Sequence, residues 1–321
     1  MRTPIVPLKV STRFTGPSIA RVTYSIVGAD LEADEVGCAV QSKYFAVGAV
    51  VPWAKAGVGA VATQAAGVAA YGARVLEQLE AGAEPAEALR RVLADDDGRE
   101  TRQLGVVTAD GRAASFTGSE CNEWAGDVQG PGFAAQGNIL AGPEVVAEME
   151  RAFEKTDGPL AERLMAALEA AEAAGGDRRG RQSAAMVVER AGAAAEIPEG
   201  IDRVLDLRVD DHSEPIEELR RLLGIHTNWR IASEAMAFYE RKDFEGGIEL
   251  MLRGLEGNSD PPGVLRYQLA CFESLAGKRD AAIEHLRAAI AADPSWREAA
   301  RADSDFDPLR DDPALQQLLN G

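Results

Sequence analysis

Two regimes of apolar spacing divide this chain. From Thr23 to about Val209, short apolar runs alternate with helical stretches. Beyond Ser213 the apolar positions keep the three-to-four spacing of helices. The first run, Thr23-Tyr24-Ser25-Ile26-Val27, predicts a strand with a threonine at its head. A turn-rich acidic stretch, Asp30 to Glu35, leads to Val36–Ser42, where small and apolar residues run on without polar alternation, as in a strand buried on both faces. Gly57–Thr63 has the same character. Ala69–Leu79 has helical spacing with Gly82 as a stop, and Pro85 opens a second helix through Leu93, at a position where its missing N–H costs nothing. Gln103–Thr108 and Arg112–Thr117 flank Asp110-Gly111, a hairpin signal. Phe133–Asn138 reads as a strand. Helices follow from Pro143 to about Glu154 and from Pro159 to Ala174, the latter stopped by Gly175-Gly176. Ser183–Glu189 and Val204–Val209 are the last strands. Strands, two helices, strands, two helices, strands: this order fits two largely antiparallel sheets, each covered by a helix pair.

In the second regime, Ser213 caps a helix from Pro215 to Leu223, and the chain is helical again from Asn228. Lys242-Asp243-Phe244-Glu245-Gly246-Gly247-Ile248-Glu249-Leu250 matches Lys278-Arg279-Asp280-Ala281-Ala282-Ile283-Glu284-His285-Leu286. A repeat of this size built from helix pairs points to a short helical solenoid. The second copy resembles a tetratricopeptide repeat in Leu265, Tyr267, Ala270, Leu275-Ala276-Gly277, Ala281-Ala282-Ile283, Leu286, Ala289-Ile290 and Asp293-Pro294.

Composition narrows the function classes. The 321 residues are 46% hydrophobic, enough for two ordinary domains, and the net charge of −18 argues against nucleic acid or an anionic membrane as partner. No apolar run reaches the roughly 18 residues of a membrane span. Three scattered cysteines (Cys38, Cys121, Cys271) and three histidines form neither a disulfide framework nor a zinc motif, which fits a cytoplasmic protein. Asp210-Asp211-His212 reads as a polar turn before a helix. No metal and no cofactor are expected. Gly57-x-Gly59-x-x-Ala62 imitates a dinucleotide fingerprint without its helix or its acidic partner.

Thr23 is where chemistry concentrates. A threonine at a chain's N-terminus carries its own base: the hydroxyl attacks, and the α-amine, with a reference pKa of about 7.7–8.0, takes the proton. The preceding segment, Met1–Val22, has four basic residues and no acidic ones, and lacks both a secretory apolar region and a core-like pattern. It reads as a leader, a propeptide or a mis-assigned start. Valine has a codon that bacteria also use for initiation, so a start at Val22 followed by methionine removal exposes Thr23, and this account is preferred over propeptide removal. Otherwise Thr23 is a strand-start threonine, as β-propensity favours.

Several separated motifs resemble a bacterial domain-of-unknown-function family, the one numbered ten twenty-eight, placed in the Ntn-hydrolase superfamily. They are Thr23-Tyr24-Ser25-Ile26-Val27, Ala39-Val40-Gln41-Ser42-Lys43-Tyr44-Phe45-Ala46-Val47-Gly48, Val51-Pro52-Trp53-Ala54, Ala62-Thr63-Gln64, Gln136-Gly137-Asn138-Ile139-Leu140, Gly180-Arg181-Gln182-Ser183-Ala184 and Asp206-Leu207-Arg208-Val209-Asp210-Asp211-His212. The resemblance spans Thr23 to Ile225. It implies an α+β fold, a four-layer αββα Ntn-hydrolase-like sandwich, and more weakly the hydrolysis of amide bonds. Within that frame Thr23 is the nucleophile. Lys43 stands where proteasome subunits carry charged residues near theirs, and would lower the amine's pKa; otherwise it is a surface lysine. Gln41 and Ser42 would orient it, and Thr63 and Gln64 would contact substrate. Asn138, after the permissive Gly137, is the candidate oxyanion donor or else a turn asparagine. Arg181 would bind a substrate carboxylate or belongs to a solvated loop.

The expected organisation is therefore a leader (1–22), an Ntn-hydrolase-like domain (23–225) and an all-α tetratricopeptide-like module (226–321). The expected partners are a small amide or peptide substrate, a peptide or protein at the repeats, and further copies of the chain in a homo-oligomer. The competing expectation is a non-catalytic binding or scaffold protein that uses the helical repeats.

Overall fold

The computed structural model describes residues 23–196, 200–256, 260 and 262–321. The expected leader lies outside them. Two compact units divide between Leu219 and Arg220.

In chain order the first unit contains β1 (Thr23–Asp30), β2 (Glu35–Ser42), β3 (Pro52–Lys55), β4 (Gly59–Ala65), α1 (Ala70–Glu80), α2 (Pro85–Leu93), β5 (Arg102–Thr108), β6 (Ala113–Thr117), β7 (Gly126–Gly130) and β8 (Phe133–Asn138). Helices α3 (Glu144–Lys155) and α4 (Leu160–Ala173) and strands β9 (Ser183–Arg190) and β10 (Arg203–Val209) complete it. A six-stranded sheet has the order β10-β9-β2-β1-β8-β7 and a four-stranded sheet the order β3-β4-β5-β6. Every strand pair in both sheets is antiparallel.

Alternation of side chains explains the layering. Val27, Ala29, Cys38 and Val40 of the larger sheet pack with Ala60, Ala62 and Val107 of the smaller one. On the smaller sheet's other face, Val61, Leu104 and Val106 cluster with Tyr71, Val75 and Leu79 of α1 and with Ala88, Leu89 and Leu93 of α2. On the larger sheet's other face, Gly28 lies under Phe153 of α3 and Leu160 of α4. Burial of these small side chains on both faces is what made the strands read as unbroken apolar runs.

Two strands have no counterpart in the sequence pattern. β3 opens on a proline, β7 is bounded by glycines, and both lie at sheet edges, the positions that tolerate such residues. A second correction concerns the helix expected to end at Leu223. α5 (Pro215–Glu240) runs on without a break. Gly224 lowers helix stability by only about 1 kcal/mol, and buried Leu223, Ile231, Ala232 and Ala235 on either side of it outweigh that.

The second unit is helical: the remainder of α5, then α6 (Phe244–Leu255), α7 (Val264–Leu275), α8 (Arg279–Ala292), α9 (Trp296–Ala302) and α10 (Pro313–Asn320). The two copies of the internal repeat open α6 and α8. Gly277, at a φ of 75°, makes the left-handed turn between α7 and α8 that other residues resist. One apolar cluster joins Ile231, Ala235, Met251, Leu265 and Phe272, and another joins Ala270, Leu286, Phe306 and Leu315. No helix among the described residues is long and apolar enough to cross a membrane.

Candidate active site

β1 is flanked on both sides, and Thr23 stands at the end of both ladders, opposite Ser42 of β2 and Asn138 of β8. Directly opposed residues share a face, so these three side chains point into the space between the sheets. Thr23 Oγ1 is 3.1 Å from Ser42 Oγ. Thr23, Ser42 and Asn138 are all essentially buried.

Around them the sheets enclose amides. Ser25 Oγ donates to Gln64 Oε1 at 2.6 Å, and Gln136 Nε2 donates to Ser25 Oγ at 2.6 Å. Gln64 Nε2 lies 3.2 Å from the Thr23 carbonyl and 2.9 Å from Gln103 Oε1. That same Gln103 oxygen accepts from Asn138 Nδ2 at 2.9 Å. Gln103 Nε2 in turn donates to the Gly137 carbonyl at 2.8 Å. Gln103 thus joins Asn138 to the amide that holds the Thr23 carbonyl. Gly105 makes room for this network: a Cβ there would stand 1.9 Å from Gln136 Oε1.

Backbone strain marks the same place. Ala46, Ala65 and Ile139 adopt φ of 52°, 63° and 51°. Each adjoins the site: Ala65 follows Gln64, Ile139 follows Asn138, and Ala46 precedes Val47. Left-handed non-glycine residues cost of order 1–3 kcal/mol and gather where surrounding structure over-determines them, active sites foremost. A β-branched residue such as Ile139 is the most unusual of the three.

A small cavity of about 10 Å³ lies beside Thr23, lined by Thr23, Thr63 and Gln64 together with Tyr44, Val47, Val50, Val51, Gly67 and Ala69. The structure therefore brings together Thr23, Ser42, Thr63, Gln64 and Asn138 of the residues singled out in the sequence.

It does not bring Lys43, Gln41 or Arg181 to them. Gln41 is paired with Tyr24 in the register and so faces the helices, not the other sheet. Both of its side-chain polar atoms are buried without a protein partner. Lys43 follows β2; its N–H donates to Asp177 Oδ2 at 3.0 Å and its ammonium to the Arg181 carbonyl at 3.1 Å. Arg181 is held by Glu172 at 2.9 Å and by Glu214. Glu172 also accepts from the Tyr24 hydroxyl at 2.7 Å. Burial, reinforced by that carboxylate, pushes the Tyr24 phenol far above its ordinary range. Burial likewise raises Asp177, against the opposing N–H groups of Arg179 and Lys43. These groups form a separate polar cluster on the helix side of the larger sheet.

Residues that sequence reasoning missed are Ser25, Gln103 and Gln136, and the cavity walls Tyr44, Val47, Val50 and Val51. A signal existed for the first three: each is polar inside an otherwise apolar strand. Elsewhere, Cys271, Asp303 and Asp305 lie close enough together to share an ion, but each is already bonded within the second unit. Asp210-Asp211-His212 forms no such group among the described residues.

Comparison with known proteins adds the following. The model of a family of unknown function, DUF1028, matches residues 23–219. The crystal structure of protein SPO2555 from Silicibacter pomeroyi, described as DUF1028, is similar at 35% identity and a TM-score of 0.57, over 63% of this chain and 88% of that one. The comparison with curated proteins found no match.

Proposed function

The chain belongs to the DUF1028 family, and on that premise we propose that its first unit is an Ntn-hydrolase-like αββα domain that cleaves a small amide or peptide bond with Thr23. The observation that carries this proposal is the position of the Thr23 hydroxyl: at the head of a central strand, 3.1 Å from Ser42 Oγ, on the wall of a small cavity.

Once residue 22 is removed, Thr23 supplies both nucleophile and base. Its Oγ1 bonds to the substrate carbonyl carbon while the hydroxyl proton passes to its own α-amine, directly or through water. The resulting oxyanion is stabilised by the side-chain amide of Asn138, which Gln103 orients. The C–N bond then breaks, the departing amine takes the proton, and an acyl ester on Thr23 remains. Water adds to the ester carbonyl as it gives a proton to the same α-amine; the C–Oγ1 bond then breaks, Oγ1 takes that proton back, and the acid is released. Lys43, engaged with the Arg181 carbonyl, stands outside this scheme.

The test has two stages. Intact mass and N-terminal sequencing of the protein from its native locus should find Thr23 first; a chain that keeps Met1–Val22 has no base and removes the proposal. In the exposed form, an electrophilic amide-mimicking probe should label Thr23, and Thr23→Ala should abolish the label.

The second reading, a non-catalytic binder, is favoured by one observation. The helical unit leaves Trp229, Met236 and Leu252 exposed by 53%, 40% and 41%, an apolar offering to a peptide or protein. In that reading the second unit is a tetratricopeptide-like module, the chain a homo-oligomer, and Thr23 is never freed.

A further inference from the structure

Four strands stand at sheet edges: β10 and β7 in the larger sheet, β3 and β6 in the smaller. An edge presents unpaired N–H and C=O groups to any strand that lies down beside it. Three of the four are ill suited to that. β3 has four residues and opens on a proline, which has no N–H to give. β6 and β7 are tied to each other, since Asp127 of β7 accepts from both Ser115 and Thr117 of β6. β10 is the longest of the four at seven residues, and among the described residues only β9 pairs with it.

The side chains of β10 alternate between two faces. Val209 is opposite Ala184, which is opposite Gln41, so Leu205, Leu207 and Val209 share the helix-facing side. Leu205 and Val209 are buried there, while Leu207 is only half-buried. Asp206 and Arg208 take the other face and bind each other at 2.9 Å, with 30% and 45% of their side chains exposed. Arg203 also reaches Asp206, at 3.0 Å. A bulge between Arg203 and Leu205 disturbs the start of the strand, and Leu205–Val209 keep a regular register.

A second copy of the chain fits this edge in one register. Two copies related by a two-fold axis perpendicular to the sheet pair antiparallel, and each face continues into the same face of the other copy. Residues opposite each other are then an even number of positions apart, or identical. Centring on Leu205 runs the pairing into the bulge and opposes Asp206 with Val204. Centring on Asp206 sets that carboxylate against itself. Centring on Arg208 sets two guanidinium groups together and opposes Asp206 with Asp210. Centring on Leu207 opposes Asp206 with Arg208 twice, Leu205 with Val209 twice, and Leu207 with its own counterpart, which covers its exposed surface. We propose that β10 is a homodimer contact in this last register, joining the larger sheets of two copies into one. The Asp206–Arg208 ion pair passes from within a copy to between copies and Arg203 stays on Asp206, so no charge loses its partner. The inference holds whichever reading of Thr23 is correct.

Sedimentation of the full-length chain at micromolar concentration should show a dimer. Asp206→Arg and Arg208→Asp each oppose like charges at two contacts and should weaken it at least ~10-fold. Mixed in equal amounts, the two variants should dimerise as the wild type does, because Arg then faces Asp at both contacts. A second measurement does not depend on charge. The axis passes beside residue 207, whose two Cα atoms would stand about 4.5–5.5 Å apart, within the span of a disulfide. Cys38 and Cys271 are buried, so only Cys121 needs replacing as a background. With Cys121→Ser, Leu207→Cys should link two copies under mild oxidation at least ~10-fold faster than Val204→Cys, whose counterpart is roughly 20 Å away. A wild type that sediments as a monomer, a dimer indifferent to both charge reversals, reversed variants that are folded by circular dichroism yet do not recombine, or equal linking from the two positions would each overturn the inference. If the reversed variants do not fold, the linking rates alone decide it.

Discussion

The space between the two sheets is filled in two ways. At one end lie Ser25, Gln64, Gln103, Gln136 and Asn138, joined by hydrogen bonds. At the other end the same strands, on the same face, present Val27, Ala29, Val40, Ala60, Ala62, Val107 and Ala134. Each strand switches character in a step of two or four residues: Ser25 to Val27, Ser42 to Val40, Gln64 to Ala62, Gln103 to Val107, Gln136 to Ala134. Polarity is organised by level in the sandwich, not by strand. Buried amides are costly unless bonded, and a half-satisfied network is worse than an apolar filling. Their concentration at the level of Thr23 is what stability alone would not select.

Substitutions at the two levels should therefore differ in kind. The largest effect is Thr23→Ala: labelling of the exposed form falls by at least ~1,000-fold, while thermal melting moves little, since only the Ser42 contact is lost. Next is Gln103→Ala, which strips partners from Asn138 and Gln64. A loss of roughly 3–5 kcal/mol in urea denaturation is expected, with slower labelling of the molecules that remain folded. At the apolar level, Val27→Ala should cost about 2–3 kcal/mol through its cavity and leave the labelling rate of folded molecules as it was. If Val27→Ala slows labelling as much as Gln103→Ala does, the distinction between the levels collapses.

Acid offers a smaller lever. Arg102, adjoining Gln103, holds Asp96 at 2.8 Å, and Tyr71 and the Gly98 N–H also donate to this carboxylate. Though burial alone would raise it, these bonds bring Asp96 down to about 2. Because its folded pKa lies below the unfolded one, the group stabilises the protein above about pH 4, and this contribution is lost as pH falls toward 2. It amounts to about 2 kcal/mol, read as a fall in the urea midpoint that Asp96→Asn should remove. Smallest of all is Lys43→Ala, expected to change stability by less than about 0.5 kcal/mol and labelling by less than twofold. A large loss of labelling would bring Lys43 back to the nucleophile.

Much of this was legible in the chain. Unbroken small apolar runs announced strands buried on both faces, and the Pro and Gly signals fixed most helix ends. Thr23, Ser42, Thr63, Gln64 and Asn138 come together because they stand at or near strand ends that the pairings bring to one level. Lys43 and Gln41 illustrate the limit: a step of one residue along a strand changes the face, and only the pairing register says which face is which. Gln103 and Gln136 stood out as polar residues in apolar strands, but their meaning depends on pairings between distant parts of the chain. The helix expected to end at Leu223 continues past Gly224 because packing around α5 exceeds the local preference.

The strand order β2-β1-β8 also sets a clock. Gln136 reaches Ser25 across 111 positions of the chain, so the ladder beside β1 stays open until β8 has been made. Such long-range closure is the slow part of forming an antiparallel sheet. During synthesis, β1 leaves the ribosome well ahead of the strand that completes its surroundings. A nascent chain ending before Phe133 holds the threonine and not its setting. Whatever Thr23 does is thereby deferred until more than half of the first unit exists, without any separate inhibitor to hold it back.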